Sequence, residues 1–311
     1  MFASKWALGA VGAVSLGLAG VVGANLIERQ AAPALAAAPA ATTDADPALW
    51  VVKDDDTTIY LFGTVHVLRP GLSWFDEAVK TAFDASDEVV LELVLPDDAT
   101  AQAAVMKHAV NTSGTTLTAM LPEDERAAYL QSLTNIGVPP AALDQYQPWF
   151  AATNLSIMTL MKAGYDANSG AEKVITAAAK EAGKPVSGLE TMDQQLGFFS
   201  GLSKDSQIAL LTSTVEELPN ATKLTDDMVA KWGAGDPQGL GELMNESLRE
   251  TPELSKVLLA DRNARWADWI ETRMAKPGTV FIAVGAGHLA GSDSVQAMLA
   301  KRNLKATRID Y

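Results

Sequence analysis

The sequence predicts an α/β protein with a central mixed sheet, built from strand segments at the N- and C-terminal parts of the chain, with a mostly helical insertion between them. Three observations lead to this fold class. Short apolar runs of β type occur within residues 49–95 and again within 278–310. Apolar residues recur at helical spacing through most of the chain between them. The 311 residues are 48% hydrophobic, which is enough to bury a sizeable core.

The first 40 residues differ in composition from the rest of the chain. Lys5 is the only charge before an apolar run at 6–27, and an Ala/Pro-rich run follows. This order is typical of a secretory signal peptide, with A-x-A cleavage sequences at 34–36 and 38–40. The apolar run is also long enough to remain as a membrane anchor. Both alternatives predict an exported protein, either periplasmic or held at the outer face of the inner membrane.

Residues 41–48 are predicted as a short linker, and residues 49–311 as a single domain. Apolar runs at 49–52 and 58–63 are separated by a polar turn, which predicts a hairpin. The spacing of apolar residues then changes to about 3.6 residues, which predicts a helix over 73–86. The next run, EVVLELVL at 88–95, is almost continuously apolar and predicts a strand buried on both faces.

Helices dominate the chain after this strand. A helical region is predicted over about 97–182, and further helices over about 192–274. The remaining predicted elements are strands at 184–190, 278–287 and 305–310 and a helix at 292–301. Because strands lie on both sides of the helical region, the sheet must be assembled from distant parts of the chain.

Composition and missing motifs exclude several classes of protein. The formal net charge is −14, which disfavours nucleic acid as a partner because phosphate binding needs a basic surface. The chain has no cysteine, so disulfides, thiolate nucleophiles and zinc–cysteine sites are excluded. It also lacks an H-E-x-x-H helix, a G-x-S-x-G elbow and a P-loop. The membrane is expected as a partner only through the N-terminal segment.

Two histidines follow predicted strands in the same way. His66 ends a G-T-V-H sequence that begins at Gly63, and His288 ends G-A-G-H, which contains Gly285 and Gly287. Glycine lets the chain turn sharply where a strand stops. Ligands of open α/β sheets collect outside the carboxyl ends of the strands. We therefore expect both imidazoles to lie at one edge of the sheet.

Two glutamates are expected at the same edge. Glu92 lies inside an apolar strand, and Glu190 ends another. Two neutral imidazoles and a carboxylate suit Zn²⁺, Mn²⁺ or Co²⁺, so His66, His288 and one of the glutamates are candidate metal ligands. The other carboxylate, Glu190 or Glu92, is then a candidate general base. The alternatives are structural histidines and a buried salt bridge between Glu92 and Arg262.

Three other polar residues lie in predicted helices. Asn263 falls on the apolar stripe of its helix and Arg262 lies beside it, so both need buried partners. They are candidates to stabilise charge at a reacting carbonyl, or to make structural hydrogen bonds. His108 lies in an Ala-rich helical pattern and is expected at the surface. The sequence GAGHLA at 285–290 fits a dinucleotide-binding pattern, but too little chain follows it for a nucleotide-binding half.

Taken in order, these motifs resemble the TraB/GumN family, which includes the Tiki proteins. The resemblance covers nearly all of residues 49–311. The segments that carry it are YLFGTVHVL, LEL, QPWFAA, GKPVSGLETMDQQL, DRNARW and FIAVGAGHLAG. It implies paired strands that carry two G-x-x-H motifs and an essential glutamate, with a helical region between. The motif positions in this sequence are His66, Glu92 and His288, which the resemblance makes the predicted metal ligands. Glu190, Gln195, Arg262 and Asn263 are placed around the same site.

Tiki proteins are described as metal-dependent proteases. The resemblance therefore implies a metal-dependent hydrolase, a peptidase acting on secreted or periplasmic peptides or proteins, with Mn, Co or Zn as its ion. The sequence departs from the family pattern twice: E-x-D reads Glu92-Leu93-Val94, and G-x-D reads Gly170-Ala171-Glu172, which makes Glu172 the candidate substitute. The alternative function is a binding protein that sequesters a peptide or haem without turnover.

Overall fold

The structure is a computed structural model that describes residues 43–249 and 252–311. The segment predicted as a signal peptide or anchor lies outside these residues. Within the described ranges, no helix combines the length and the apolar character that crossing a membrane requires.

The described residues contain one large sheet and one small one. The strands are β1 Thr43–Asp44, β2 Leu49–Lys53, β3 Thr57–Thr64, β4 Leu72–Ser73, β5 Glu88–Leu93, β6 Val186–Glu190, β7 Gly278–Gly285 and β8 Thr307–Ile309. Six of them form a sheet in the order β6-β5-β7-β3-β2-β8, and β1 pairs with β4. Neighbours among β6, β5, β7 and β3 are parallel, whereas β2 is antiparallel to both β3 and β8. The predicted mixed sheet is confirmed.

The central strands are apolar on both faces because helices cover both sides of the sheet. Ile59 and Leu61 of β3 pack into the core on one side, together with Trp266. Phe62 of β3 points to the other side, where it stacks on Trp74 at a ring distance of 5.5 Å. The near-continuous apolar runs of the sequence therefore reflect a sheet that is buried on both faces.

Helices fill most of the remaining described chain. They are α1 Glu77–Ala85, α2 Asp98–Ala109, α3 Leu117–Met120, α4 Glu123–Ile136, α5 Pro148–Lys162, α6 Ala171–Glu181, α7 Met192–Ser200, α8 Lys204–Glu217, α9 Ala221–Gly233, α10 Pro237–Arg249, α11 Pro252–Ser255, α12 Asp261–Met274 and α13 Val295–Ala300. Trp149 and Phe150 of α5 are fully buried in a separate helical core, where they pack with Phe199 of α7. Helix α7 thus links this helical core to the end of β6.

Several predictions of local structure differ in extent from the elements observed. The helix predicted over 73–86 begins at Glu77, because residues Leu72–Ser73 pair with β1. The stretch 41–48, predicted as a linker, contributes β1 to that pair. The strand predicted over 88–95 ends at Leu93, where its pairing with β6 also ends. The two residues that follow are exposed.

A wide helical turn precedes α12. Residues Lys256–Ala260 form a π-helix that leads directly into Asp261–Met274. Such turns insert one extra residue into a helix and are frequent at functional sites. Here the carbonyl of Leu258 accepts a hydrogen bond from Arg262 Nη1 at 3.3 Å. The turn therefore helps to fix the guanidinium of the first buried side chain of α12.

Candidate active site

The two G-x-x-H turns lie side by side. Strands β3 and β7 pair in parallel, with Gly63 opposite Val284 and Thr64 opposite Gly285. A Cβ atom on Gly63 would lie 3.1 Å from Cα of Ala286. That is tight for a carbon contact, so glycine allows the two turns to touch. His66 and His288 consequently leave the sheet at the same edge, as the sequence predicts.

Arg262 occupies the centre of the site. Its fully buried guanidinium lies between two carboxylates, with Nη2 at 2.8 Å from Glu92 Oε2 and 2.7 Å from Glu190 Oε2. Nε also donates to both Glu190 oxygens, at 3.0 and 3.1 Å. The structure therefore contains the Glu92–Arg262 salt bridge that the sequence left open as an alternative. A buried ion pair needs such additional hydrogen bonds to offset desolvation.

Neutral donors complete the surroundings of the two carboxylates. Gln195 Nε2 lies 3.3 Å from Glu92 Oε2 and 3.1 Å from Glu190 Oε2. Trp266 Nε1 donates to Glu190 Oε1 at 3.1 Å, and the backbone N–H of Gly285 donates to Glu92 Oε1 at 2.6 Å. Burial raises the pKa of Glu92, and the neighbouring Arg262 only partly opposes this. Glu92 therefore takes up a proton more readily than an ordinary glutamate.

His288 is held in one tautomer by two partners. Asn263 Nδ2 donates to the carbonyl of Asp293 at 2.6 Å, so its Oδ1 is free to accept from His288 Nδ1, also at 2.6 Å. The other ring nitrogen, Nε2, then accepts from Arg262 Nη1 at 3.1 Å. Burial, with Arg262 alongside, lowers the pKa of His288 well below its usual range. The imidazole is therefore neutral, on the buried turn that contains Gly287.

His66 has a carboxylate partner on helix α6. Its Nδ1 lies 2.5 Å from Glu172 Oε1, which also accepts from the hydroxyl of Thr64. Burial raises the pKa of Glu172, but the contacts with His66 and Thr64 outweigh burial and lower it overall. Glu172 Oε2 has no hydrogen-bond partner among the described residues. The departure from G-x-D thus retains a carboxylate beside His66.

A cavity of about 220 Å³ opens beside these residues. Its lining includes His66, Glu92, Glu172 and Gln195 from the polar cluster, together with Leu91, Leu93, Val94, Leu95, Lys173 and Thr176. Glu190, Arg262, Asn263 and His288 are not part of this lining. The predicted site residues therefore form two layers, one facing the cavity and one behind it.

A divalent ion suits only part of the predicted ligand set. His66 and Glu92 line one cavity, and an imidazole whose other nitrogen contacts a carboxylate is the usual arrangement of a metal-binding histidine. His288 differs, because Nε2 already accepts from Arg262. Among the residues that the structure describes, no three His, Asp or Glu side chains are grouped to hold an ion. The three-ligand site stays a prediction.

Two further contacts were not predicted. Trp266 was not among the candidate site residues, yet its ring centroid lies 4.4 Å from that of His288 and its N–H donates to Glu190. Its position four residues after Arg262 places it on the same helix face and was the available signal. His108, expected at the surface, is half-buried between Ser200 Oγ at 2.8 Å and Asp193 Oδ1 at 2.9 Å. It does not line the cavity.

The fold and the cluster define a mixed α/β protein with a buried Glu–Arg–Glu–His network at the carboxyl ends of parallel strands. The sequence pattern of the TraB/PrgY/gumN family matches residues 48–308, and the chain belongs to this family. It is 30% identical over 209 residues to the uncharacterized protein YbaP of Escherichia coli K12, a match that covers 64% of this chain and 77% of the relative. An uncharacterized protein of Treponema pallidum is 22% identical over 293 residues, covering 86% and 84%. No solved structure matches the chain.

Proposed function

We propose that the chain is an exported, metal-dependent hydrolase that acts on peptide bonds. The observation that carries this proposal is the cavity in which Glu92 and the His66–Glu172 pair meet. Burial raises the pKa of Glu92, and the buried Oε2 of Glu172 has no hydrogen-bond partner among the described residues. Such perturbed, incompletely paired groups in a cavity are typical of reaction sites.

The residues that line the cavity would hold the ion and move the proton. His66 and Glu92 would hold a divalent ion in the cavity, and Glu172 fixes the orientation of the His66 imidazole through Nδ1. A bound divalent ion supplies polarisation of a carbonyl and a lower pKa for water. Glu172 Oε2 accepts the proton of the attacking water, because this carboxylate is ionised and its second oxygen has no other partner.

The residues behind the cavity position this first layer. Arg262 fixes Glu92, and Glu190 fixes Arg262 through three short contacts. Glu190 was a candidate general base, but its oxygens contact Arg262, Trp266 and Gln195, so we assign it to orientation. His288 contacts the guanidinium through Nε2, and Asn263 fixes the orientation of His288. Such supporting contacts keep reacting groups within the narrow geometry that catalysis needs.

The test combines metal content with product analysis. The purified protein would be loaded with Mn²⁺, Co²⁺ or Zn²⁺ without chelators and assayed on a peptide library by mass spectrometry. We expect about one ion per chain and cleavage in the wild type, loss of both in His66→Ala, and loss of cleavage with folding retained in Glu172→Gln. His108→Gln is the matched control, because this histidine lies outside the cavity. Absence of metal in the wild type, or full activity in both site variants, contradicts the proposal.

Sequestration of haem or a peptide without turnover is the competing function. The cavity, at about 220 Å³, is smaller than the roughly 300–1,000 Å³ of pockets that enclose a drug-sized ligand. This size favours one end of a peptide over a whole haem. Saturable binding without products, retained in the variants of His66 and Glu172, would favour sequestration.

Export rests on the N-terminal sequence alone. The apolar run and the A-x-A sequences predict that the mature chain begins near residue 37 or 41, or that the run remains as an anchor. N-terminal mass analysis of the protein from cell fractions separates these outcomes. Recovery of the full-length chain in the cytoplasm contradicts export.

A further inference from the structure

The cavity has an apolar wall beside its polar floor. Val94 and Leu95, which follow β5, are 43% and 40% exposed and both line the cavity. Among the side chains whose exposure the structure describes, which leaves out residues 245–251, only Met106 and Tyr311 are other large hydrophobic groups with such exposure. An apolar wall with a few polar groups is the usual lining of a pocket that binds a small ligand. An apolar group of the ligand therefore belongs against this wall.

The rim of the cavity carries one uncompensated charge. Lys173 of α6 is the basic residue of the lining and is exposed. It forms no ion pair with any residue of the described ranges, although Glu92 and Glu172 of the same cavity are each paired. The chain as a whole has a net charge of −14, so an anionic ligand gains attraction mainly from such a local cation.

The volume limits how much of a ligand can enter. About 220 Å³ holds only a small part of a larger molecule. The apolar wall, the cation and the small volume together suit a ligand that carries an apolar group and an anionic group side by side at the end of a longer chain. The C-terminal residue of a peptide has this chemistry, since its free carboxylate lies on the carbon that carries the side chain.

We propose that the cavity receives the C-terminal residue of a peptide, with its apolar side chain on Val94 and Leu95 and its carboxylate paired with Lys173. The hydrolytic step rests on the proposed function. Water oxygen bonds to the carbonyl carbon of the last peptide bond, the C–N bond breaks, and the proton passes to the leaving amine. The products are one apolar amino acid and a peptide that is shorter by one residue.

Binding of two matched peptides tests this inference. The probes are acetyl-Ala-Ala-Leu and its C-terminal amide, titrated calorimetrically into the purified protein. We expect the wild type to bind the acid about tenfold more tightly than the amide, because a charge-assisted contact is lost in the amide. Lys173→Ala should remove this preference. Lys180→Ala is the control, since Lys180 is exposed on the same helix but lies outside the cavity lining.

The outcomes separate this inference from the proposed function. Equal affinity for acid and amide in the wild type, no binding of either, or a preference that survives in Lys173→Ala overturns the inference. A Lys173-dependent preference without release of leucine supports the inference and contradicts hydrolysis. Internal cleavage that is insensitive to Lys173→Ala supports hydrolysis and overturns the C-terminal assignment.

Discussion

At the scale of single residues, the site depends on a close approach between two backbone segments that leaves no room for a side chain. Gly170 precedes helix α6 and faces the backbone of the first G-x-x-H turn. A Cβ atom at this position would lie 2.0 Å from the carbonyl oxygen of His66. The contact explains why a glycine is needed two residues before Glu172, since any side chain would separate the carboxylate from its histidine.

Gly170→Ala should therefore displace either His66 or the start of α6. We expect the free energy of unfolding to fall by about 1–3 kcal/mol, the usual effect of forcing an extra carbon into a packed site. Gly197→Ala is the control, because a Cβ there lies 3.7 Å from His108 Cε1, an ordinary contact, and alanine favours a helix. Urea denaturation measures both variants. An equal change in the free energy of unfolding for both variants would refute the steric explanation.

The lowered pKa of His288 predicts a pH dependence of stability. In the unfolded chain this histidine takes up a proton below about pH 6.5, whereas the native imidazole does not. The unfolded state then binds more protons, so stability should fall as the pH drops below that value, by up to about 1.4 kcal/mol per pH unit. Denaturation between pH 7.5 and 5 in a chelating buffer measures the slope. His288→Gln should reduce it, and an unchanged slope contradicts this origin.

At the scale of elements, helix α12 is joined to two parallel strands through one guanidinium. Glu92 lies in β5 and Glu190 ends β6, and both contact Arg262 of α12. The π turn before α12 supplies the carbonyl of Leu258, which accepts a hydrogen bond from this guanidinium. Loss of the charge would leave two carboxylates buried without their cation, which is far less favourable than an apolar substitution of all partners.

Arg262→Met should lower the free energy of unfolding by about 3–5 kcal/mol. Combining it with Glu92→Gln and Glu190→Gln should restore part of this loss, because no buried charge then remains unpaired. Arg265→Met is the matched control on the same helix, since its guanidinium is half exposed and 3.7 Å from Glu190. That change should cost less than about 1 kcal/mol. A triple variant no more stable than Arg262→Met would contradict the electrostatic explanation.

The sequence predicted those parts of the fold and site that depend on local pattern. Long apolar runs identified β3, β5 and β7, and the rule for strand ends brought His66, His288 and the two glutamates to one edge. The pair β1–β4 escaped prediction because a strand of two residues has no period. The salt bridge of Arg262 with Glu92 was an open alternative, but the contacts of Arg262 with Glu190 and His288 escaped because they depend on helix rotation. The direct contact of Glu172 with His66 also escaped, since it depends on a close approach at Gly170.

At the scale of the whole molecule, the sheet joins distant parts of the chain. Strand β7 lies between β5 and β3, and its register with β3 pairs Thr57 with Gly278 and Thr64 with Gly285. His288 and the two N-terminal residues that line the cavity, His66 and Glu92, therefore come together only when both ends are present.

A chain that ends at Lys276 should lack cooperative unfolding, because it has no central strand. A chain that ends at Leu304 is the control, since it loses only the edge strand β8, which pairs with β2 over three residues. This control chain should unfold cooperatively, but at a lower urea concentration than the full-length chain. Circular dichroism during urea titration measures both. A cooperative transition in the shorter chain would contradict the central role of β7.

The position of β7 also affects the timing of folding during biosynthesis. Ribosomes make the chain from its N-terminus, so the central strand, Gly278–Gly285, emerges only after β3, β5 and the helices between β5 and β7. Until then, β3 and β5 each lack a partner on one edge, and unpaired edges promote association between chains. We therefore expect nascent chains to associate readily until β7 has emerged and paired with both strands.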